Sequence, residues 1–255
     1  LVDFLRGTNL IATDPAEYAE FMLAVFQHLQ ATYGWVPNSV EMILEPDNGT
    51  VAYTGTRIGR NMAAAAARLA AAGFTPDFVA PSTVSMRRAS VYFDDVIAQP
   101  GAEAAISEIS YHRYGGVSET NLRAIADRAA AHGIRTAHLE HIGSGYEDLY
   151  DDLTIGMNSA WSQYSIAWVE GPNSSDDGGK YDLVDKSNPS DPTVRMGRRT
   201  PFLRQYMYYV RAGAIRIGAS STSGKVEPVA FINANGSYVV VVKSSDREDF
   251  AVSGL

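Results

Sequence analysis

Apolar positions along this chain switch repeatedly between two periods. In "PAEYAEFMLAVFQHLQATY", residues 15–33, Tyr18, Phe21, Met22, Val25, Phe26 and Leu29 recur at three- and four-residue steps, which predicts a helix with one buried face. Asp14 before Pro15 suits an N-cap with proline in the first turn, and Gly34 suits the stop. "SVEMILE", 39–45, then reads as a strand. The alternation repeats: an alanine-rich helix over 57–72, a strand over 77–82, a helix over 89–98, a strand over 105–114 and a helix over 118–133. A strand over 134–140, a helix over 146–160 and a strand over 162–170 follow. Residues 171–199, rich in Gly, Pro, Asn, Ser and Asp, predict a long loop, and 201–213 a last helix.

Regular alternation of strand and helix predicts a parallel sheet with crossover helices, the α/β class. Five strands are expected, near residues 40, 77, 106, 135 and 163. After Gly213 the period changes. "AIRIGAS", "VEPVAFINA" and "SYVVVVKS" are β-type runs, and "NANG" at 233–236 is a hairpin turn between the last two. The expected division is therefore 1–212 for the α/β part and 213–255 for a separate β unit.

Composition narrows the function classes. The chain carries a net charge of −8 and no Lys/Arg cluster, which excludes the basic face that nucleic-acid binding needs. No stretch reaches the roughly 20 apolar residues of a membrane-spanning helix. Cysteine is absent, so disulfides and thiolate metal sites are excluded. The sequence does not bear on oligomeric state.

The chemistry lies at strand ends. The hydrophobic run "EMILEPDNGT" ends in Glu45, Pro46, Asp47 and Asn48, and "RTAHLEHIGSG" ends in Glu140. A strand that only filled a core would not need a carboxylate at its tip. Side-chain alternation puts Ser110, His112 and Tyr114 on one face of their strand, and Thr136, His138 and Glu140 on one face of theirs. The opposite faces, with Ile109 and Tyr111 or Ala137 and Leu139, are expected to meet the helices. Trp168 ends the "IAWVE" run, with Glu170 just beyond. The C-terminal ends of parallel strands are where barrel enzymes keep their reacting groups. Glu108 is a competing carboxylate, but it lies mid-strand, where ion pairing is the expected role.

In these motifs the sequence resembles the retaining glycoside hydrolases of clan A, and within it glycoside hydrolase family 30. "ILEPDN" resembles the strand-four motif of that clan, "SYHRYGG" the His-x-Tyr of strand six, "HLEHIG" the strand-seven motif and "IAWVEG" the strand-eight tryptophan. "YMYYVRAGAIRIGAS" is similar to the family's passage from the last barrel helix into a side β-sandwich. The resemblance implies strands four to eight of a (β/α)8 barrel followed by part of a β-sandwich, hence a piece of a longer protein. It implies a glycosidase with Glu45 as acid/base and Glu140 as nucleophile. It also implies sugar-site roles for His112, Tyr114, Trp168, Asn48 and Glu170, a β-linked glycan or glycoconjugate as substrate, and a secreted setting. One departure matters: the clan places Asn directly before the acid/base, and here Leu44 stands there. Either Asn48 replaces it or the sugar contact differs.

Other readings stand beside this one. His138, Glu140 and His141, with His112, offer metal-ligating atoms. They lack His-Glu-x-x-His spacing, and His138 and His141 should leave a strand in different directions. No metal and no cofactor is expected. A carbohydrate-binding protein without catalysis, on a glycosidase-like barrel, is the second function class, and Leu44 keeps it open.

Overall fold

The computed structural model describes residues 14–48, 53–162, 164–170, 180–247 and 249–254. Contacts divide the chain into two compact units, Leu1–Glu140 with Ile155–Ser162, and His141–Thr154 with Gln163–Leu255.

The first unit begins with α1, Pro15–Tyr33, where Asp14 accepts a hydrogen bond from the Ala16 N–H at 2.8 Å and Gly34 closes the helix at φ 73°. It continues with β1 (Ser39–Glu41), α2 (Gly55–Ala71), β2 (Asp77–Ser85), α3 (Met86–Ile97), β3 (Ile106–Gly115), α4 (Glu119–His132), β4 (Arg135–Glu140) and β5 (Ala160–Trp161). The strands form one parallel sheet in the order β1-β2-β3-β4-β5, a half-barrel rather than a closed one. The α/β expectation holds, with the first four strands where they were expected. The elements before β4 fall within a few residues of their expected bounds.

Helical periodicity explains the core. Ile58, Met62, Ala65 and Leu69 of α2 are completely buried and lie at three- and four-residue steps. They join Phe26 of α1, Phe93 of α3 and Leu122 and Ile125 of α4 in one cluster with Ile109 and Tyr111 of β3. Glycine makes the α2–α3 approach possible: a Cβ on Gly59 would stand 2.5 Å from the Val96 carbonyl oxygen.

The second unit holds α5 (Tyr146–Thr154), β6 (Ser165–Glu170), β7 (Lys180–Asp185), β8 (Thr193–Met196), α6 (Thr200–Met207), β9 (Ile215–Ile217), β10 (Val226–Ile232) and β11 (Tyr238–Ser244). Strands β9 to β11 form an antiparallel sheet, and Asn233 to Ser237 closes the expected β10–β11 hairpin with Gly236 at φ 82°. Lys243 of β11 pairs with Glu227 of β10 at 2.9 Å and lies 4.4 Å from the Tyr150 ring centroid.

Three expectations are corrected. The fifth strand of the parallel sheet is Ala160–Trp161, not 162–170; β6, which carries Trp168, pairs with β7 in a separate three-stranded sheet with β8. The run "SIAWVE" has strand character, but alternation within a strand does not say which sheet it joins. The helix expected over 146–160 ends at Thr154, because Ser159 and Ser162 donate backbone hydrogen bonds to Thr136 and His138 and extend the chain along β4. The loop expected over 171–199 contains β7 and β8, hidden by the charged residues of "KYDLVD" and "TVRM". Residues 171–179 lie outside the described part of that loop.

Glu108 supplies a test of the core electrostatics. It lies mid-strand in register with Arg135, 3.9 Å from the Arg135 Nε, as the sequence suggested. Burial raises its carboxyl above the usual range, with Arg135 opposing the rise. A folded-state pKa raised above the unfolded value contributes stability that is present at low pH and lost as pH rises through the folded value. Glu108→Gln should therefore raise the urea unfolding midpoint at neutral pH, and the gain should shrink to nothing as the pH falls below the ordinary glutamate range. Arg135 keeps its second partner, Asp77, at 3.0 Å.

Candidate active site

Five of the seven site residues expected from sequence meet in the first unit. Glu45 follows β1, whose pairing with β2 extends past the strand through Met42 N–H to Val79 O and Glu45 N–H to Ser82 O, at 3.1 and 3.0 Å. The chain then turns at Glu45, whose φ of 49° is in the left-handed region that non-glycine residues avoid. Such a conformation costs on the order of 1–3 kcal/mol and persists only where the surroundings impose it, characteristically at functional sites.

His112 on β3 is fully buried, and its Nδ1 lies 3.1 Å from Glu45 Oε1. A carboxylate at that distance accepts from Nδ1–H. The Asn48 amide donates to the other oxygen, Glu45 Oε2, at 2.7 Å. Tyr114, two residues along β3, donates its hydroxyl to Glu140 Oε1 at 3.0 Å. One ligand-type atom each from Glu45, His112 and Glu140 lies within 4.8 Å of the other two. The Asn48 amide is engaged with the Glu45 carboxylate, and Leu44 is exposed.

The delivery of Glu140 differs from the expected alternation. Tyr111 pairs with His138 and His112 with Glu140, so Leu139 is an extra residue on β4. The bulge splits the face that simple alternation assigned to Thr136, His138 and Glu140. Thr136 shares Asn158 with Tyr111, and the His138 ring packs 6.0 Å from Tyr111 and 5.2 Å from Trp161, on the side that meets the helices. Glu140 is turned to the face of His112 and Tyr114. Bulges beside active sites commonly re-aim a side chain in this way.

The same bulge separates His138 from the metal-ligating set considered from sequence. His141 belongs to the second unit, with its Nδ1 2.8 Å from Ser144 Oγ. Among the described residues, Glu45, His112 and Glu140 are the one group of three such side chains close enough to share a cation. Their hydrogen bonds to Asn48, Tyr114 and each other already satisfy part of that donor set. Trp168 and Glu170 lie on β6 of the second unit, Trp168 half exposed. Sequence reasoning passed over Asp47 and Trp161. Trp161 gave no signal, because its strand has only two residues.

Known proteins share this architecture. Residues 213–254 match the family model of the glycosyl hydrolase family 30 beta sandwich domain. Solved structures with the same fold include the catalytic domain of GH30 xylanase C from Talaromyces cellulolyticus, at 18% identity and a TM-score of 0.71, covering 89% of this chain and 54% of that one. A GH30 endoxylanase from Clostridium papyrosolvens C71 matches at 17% identity and a TM-score of 0.64, over 89% of this chain and 55% of that one.

The fold is that of glycoside hydrolase family 30.

SrfJ from Salmonella typhimurium matches it at 16% identity and a TM-score of 0.73, over 91% of this chain and 56% of that one. The chain thus spans a little over half the length of these solved structures. No curated protein sequence matches it. Among the described residues no helix is long and apolar enough to cross a membrane.

The Tyr114 hydroxyl has a measurable role in this geometry. A hydrogen bond to a charged group contributes about 1.5–3 kcal/mol. Tyr114→Phe removes the donor to Glu140 and keeps the ring. If Glu140 reacts as a carboxylate, kcat/KM of the whole protein on an aryl β-glycoside should fall by about 10–10²-fold, with little change in thermal midpoint.

Proposed function

We propose that the protein containing this chain is a retaining glycoside hydrolase acting on β-linked glycans, with Glu45 as acid/base and Glu140 as nucleophile. The observation that carries this reading is the approach of the two glutamates, with carboxylate oxygens within 4.8 Å. Retaining enzymes hold their carboxyl groups about 5–5.5 Å apart, whereas inverting ones leave about 6.5–9.5 Å for a water between them.

The reaction follows from that geometry. The Glu140 carboxylate attacks the anomeric carbon while the protonated Glu45 gives its proton to the departing glycosidic oxygen. A glycosyl ester forms on Glu140 as the C–O bond breaks. Water then loses a proton to the Glu45 carboxylate and attacks the same carbon, releasing Glu140 and the sugar with its configuration retained. Tyr114 supports Glu140 as the ionised partner. His112 and Asn48 hold Glu45 where the leaving oxygen must stand. Trp168 and Glu170 are proposed further sugar contacts.

Gluco- or xylo-configured sugars are the proposed substrate class, xylo first, since two of the solved structures are described as xylanases. An exported site of action is proposed with it, as the family resemblance implies. The proposed domain division stays at 1–212 for the barrel part and 213–255 for the β-sandwich part. The competing reading, sugar binding without turnover, is favoured by Leu44 at the position that family resemblance gives to Asn.

Assaying the whole protein against a panel of aryl β- and α-glycosides tests the proposal, with the anomer of the first-formed product followed by NMR. Turnover of a β-glycoside with retained configuration, abolished by Glu140→Gln, is expected. Inverted product, activity on α-glycosides alone, or sugar binding with no turnover would each overturn it.

A further inference from the structure

We infer that Asp47 is a positioning residue that holds the proposed acid/base, Glu45, in its working conformation; the inference rests on Glu45 having that role. Among the described residues, the Asp47 carboxylate makes its hydrogen bonds away from Glu45, His112, Tyr114 and Glu140. It reaches instead to the junction of β2 and α3, where Oδ1 accepts from the Val84 N–H at 2.7 Å and Oδ2 from the Ser85 N–H at 3.3 Å. These partners are 37 and 38 residues away in sequence, so the contact fixes one βα segment upon another.

The anchored loop has reason to need this. Glu45 sits two residues before Asp47 at φ 49°, in a conformation the backbone would leave if released. Its own backbone ties are the N–H to Ser82 and the turn in which the Asn48 N–H donates to the Glu45 carbonyl at 3.0 Å, with the Tyr53 N–H on the Pro46 carbonyl at 3.1 Å beside them. Without Asp47 the turn from 45 to 48 would be free to relax, and the Glu45 carboxylate would leave its 3.1 Å contact with His112.

Ser85 links this anchor to the second glutamate. It precedes the first residue of α3, yet its hydroxyl makes no cap to that helix; it donates to the Gly115 carbonyl at 3.1 Å. Gly115 follows Tyr114, the residue that holds Glu140. A Cβ at Gly116 would come 2.5 Å from the Arg87 Cβ, so the β3 end sits tightly against the start of α3. Asp47 therefore ties the support of Glu45 to the same junction that seats Tyr114.

The carboxylate is specific to this task. It offers acceptor oxygens to both N–H groups, and hydrogen bonds to an ionised acceptor are the stronger kind. Asparagine keeps the shape and one acceptor but sets its NH2 against the second N–H.

Leaving-group dependence separates positioning of the acid from general support. Phenyl glycosides need a proton on the departing oxygen, whereas 2,4-dinitrophenolate leaves without one. The probes are these two glycosides of the β-linked sugar that the aryl-glycoside panel selects, with the whole protein and its Asp47→Ala, Asp47→Asn and Glu45→Ala variants. Asp47→Ala should lose about 10²-fold in kcat/KM on the phenyl glycoside, the cost of an ångström-scale misplacement. Asp47→Asn should lose less. On the dinitrophenyl glycoside both should stay within about 3-fold of the parent, since no acid assistance is required there.

Equal losses on the two substrates, or an unchanged phenyl rate, would overturn the inference. Asp47→Asn keeps it testable if Asp47→Ala does not fold. Glu45→Ala should show the same leaving-group selectivity in larger measure. If it does not, the acid/base role of Glu45 fails first, and the Asp47 result is read as structural.

Discussion

The constraint on which this site depends is the approach of two carboxylates that repel each other. Two unit charges within 4.8 Å of each other repel by roughly 3 kcal/mol or more at an effective dielectric near 20. That cost has to be offset by groups that bind the charged forms or by keeping one partner protonated. Each glutamate has its own: His112 and Asn48 on Glu45, Tyr114 on Glu140.

The scaffold makes this possible by supplying both supports from one strand. His112 and Tyr114 are two residues apart on β3, so they project from the same face, and β3 lies between β2 and β4 in the sheet. Glu45 arrives over β2 and Glu140 along β4. The arrangement is held by backbone ladders and a buried core of α1 to α4, with the site at the strand ends. The left-handed turn at Glu45 donates its N–H to the carbonyl of Ser82, itself at φ 54°, and accepts at its own carbonyl from the Asn48 N–H, while Asp47 accepts from Val84 and Ser85 beside it.

Much of this was legible in the sequence because it rests on local rules. Helix caps such as Asp14 and Gly34 behave as their residue types suggest. Both glutamates stand at strand ends, and Tyr114 reaches Glu140 as alternation allowed. What could not be read depends on non-local geometry. The extra residue Leu139 has no compositional mark, yet it decides that Glu140, and not His138, joins the site. Alternation gave Glu140 the face of His112 and Tyr114, and it is the bulge that sets it opposite His112. The left-handed turn at Glu45 is equally unmarked, since neither Gly nor Asn occupies the position. The "SIAWVE" run showed a strand but not its partner, and two short charged strands passed as loop. Asp47 read as part of a turn because its partners lie 37 residues on.

The most direct test of the central claim is covalent. A 2-deoxy-2-fluoro glycoside with a good leaving group slows both steps but the second more, so the glycosyl ester accumulates on the nucleophile. Incubating the whole protein with the fluorinated β-xyloside or β-glucoside, then mapping the modified peptide by mass spectrometry, locates that ester. A single adduct on Glu140, absent from Glu140→Gln, is the predicted result. An adduct on any other residue, or none from a protein that hydrolyses the parent glycoside, would contradict the account.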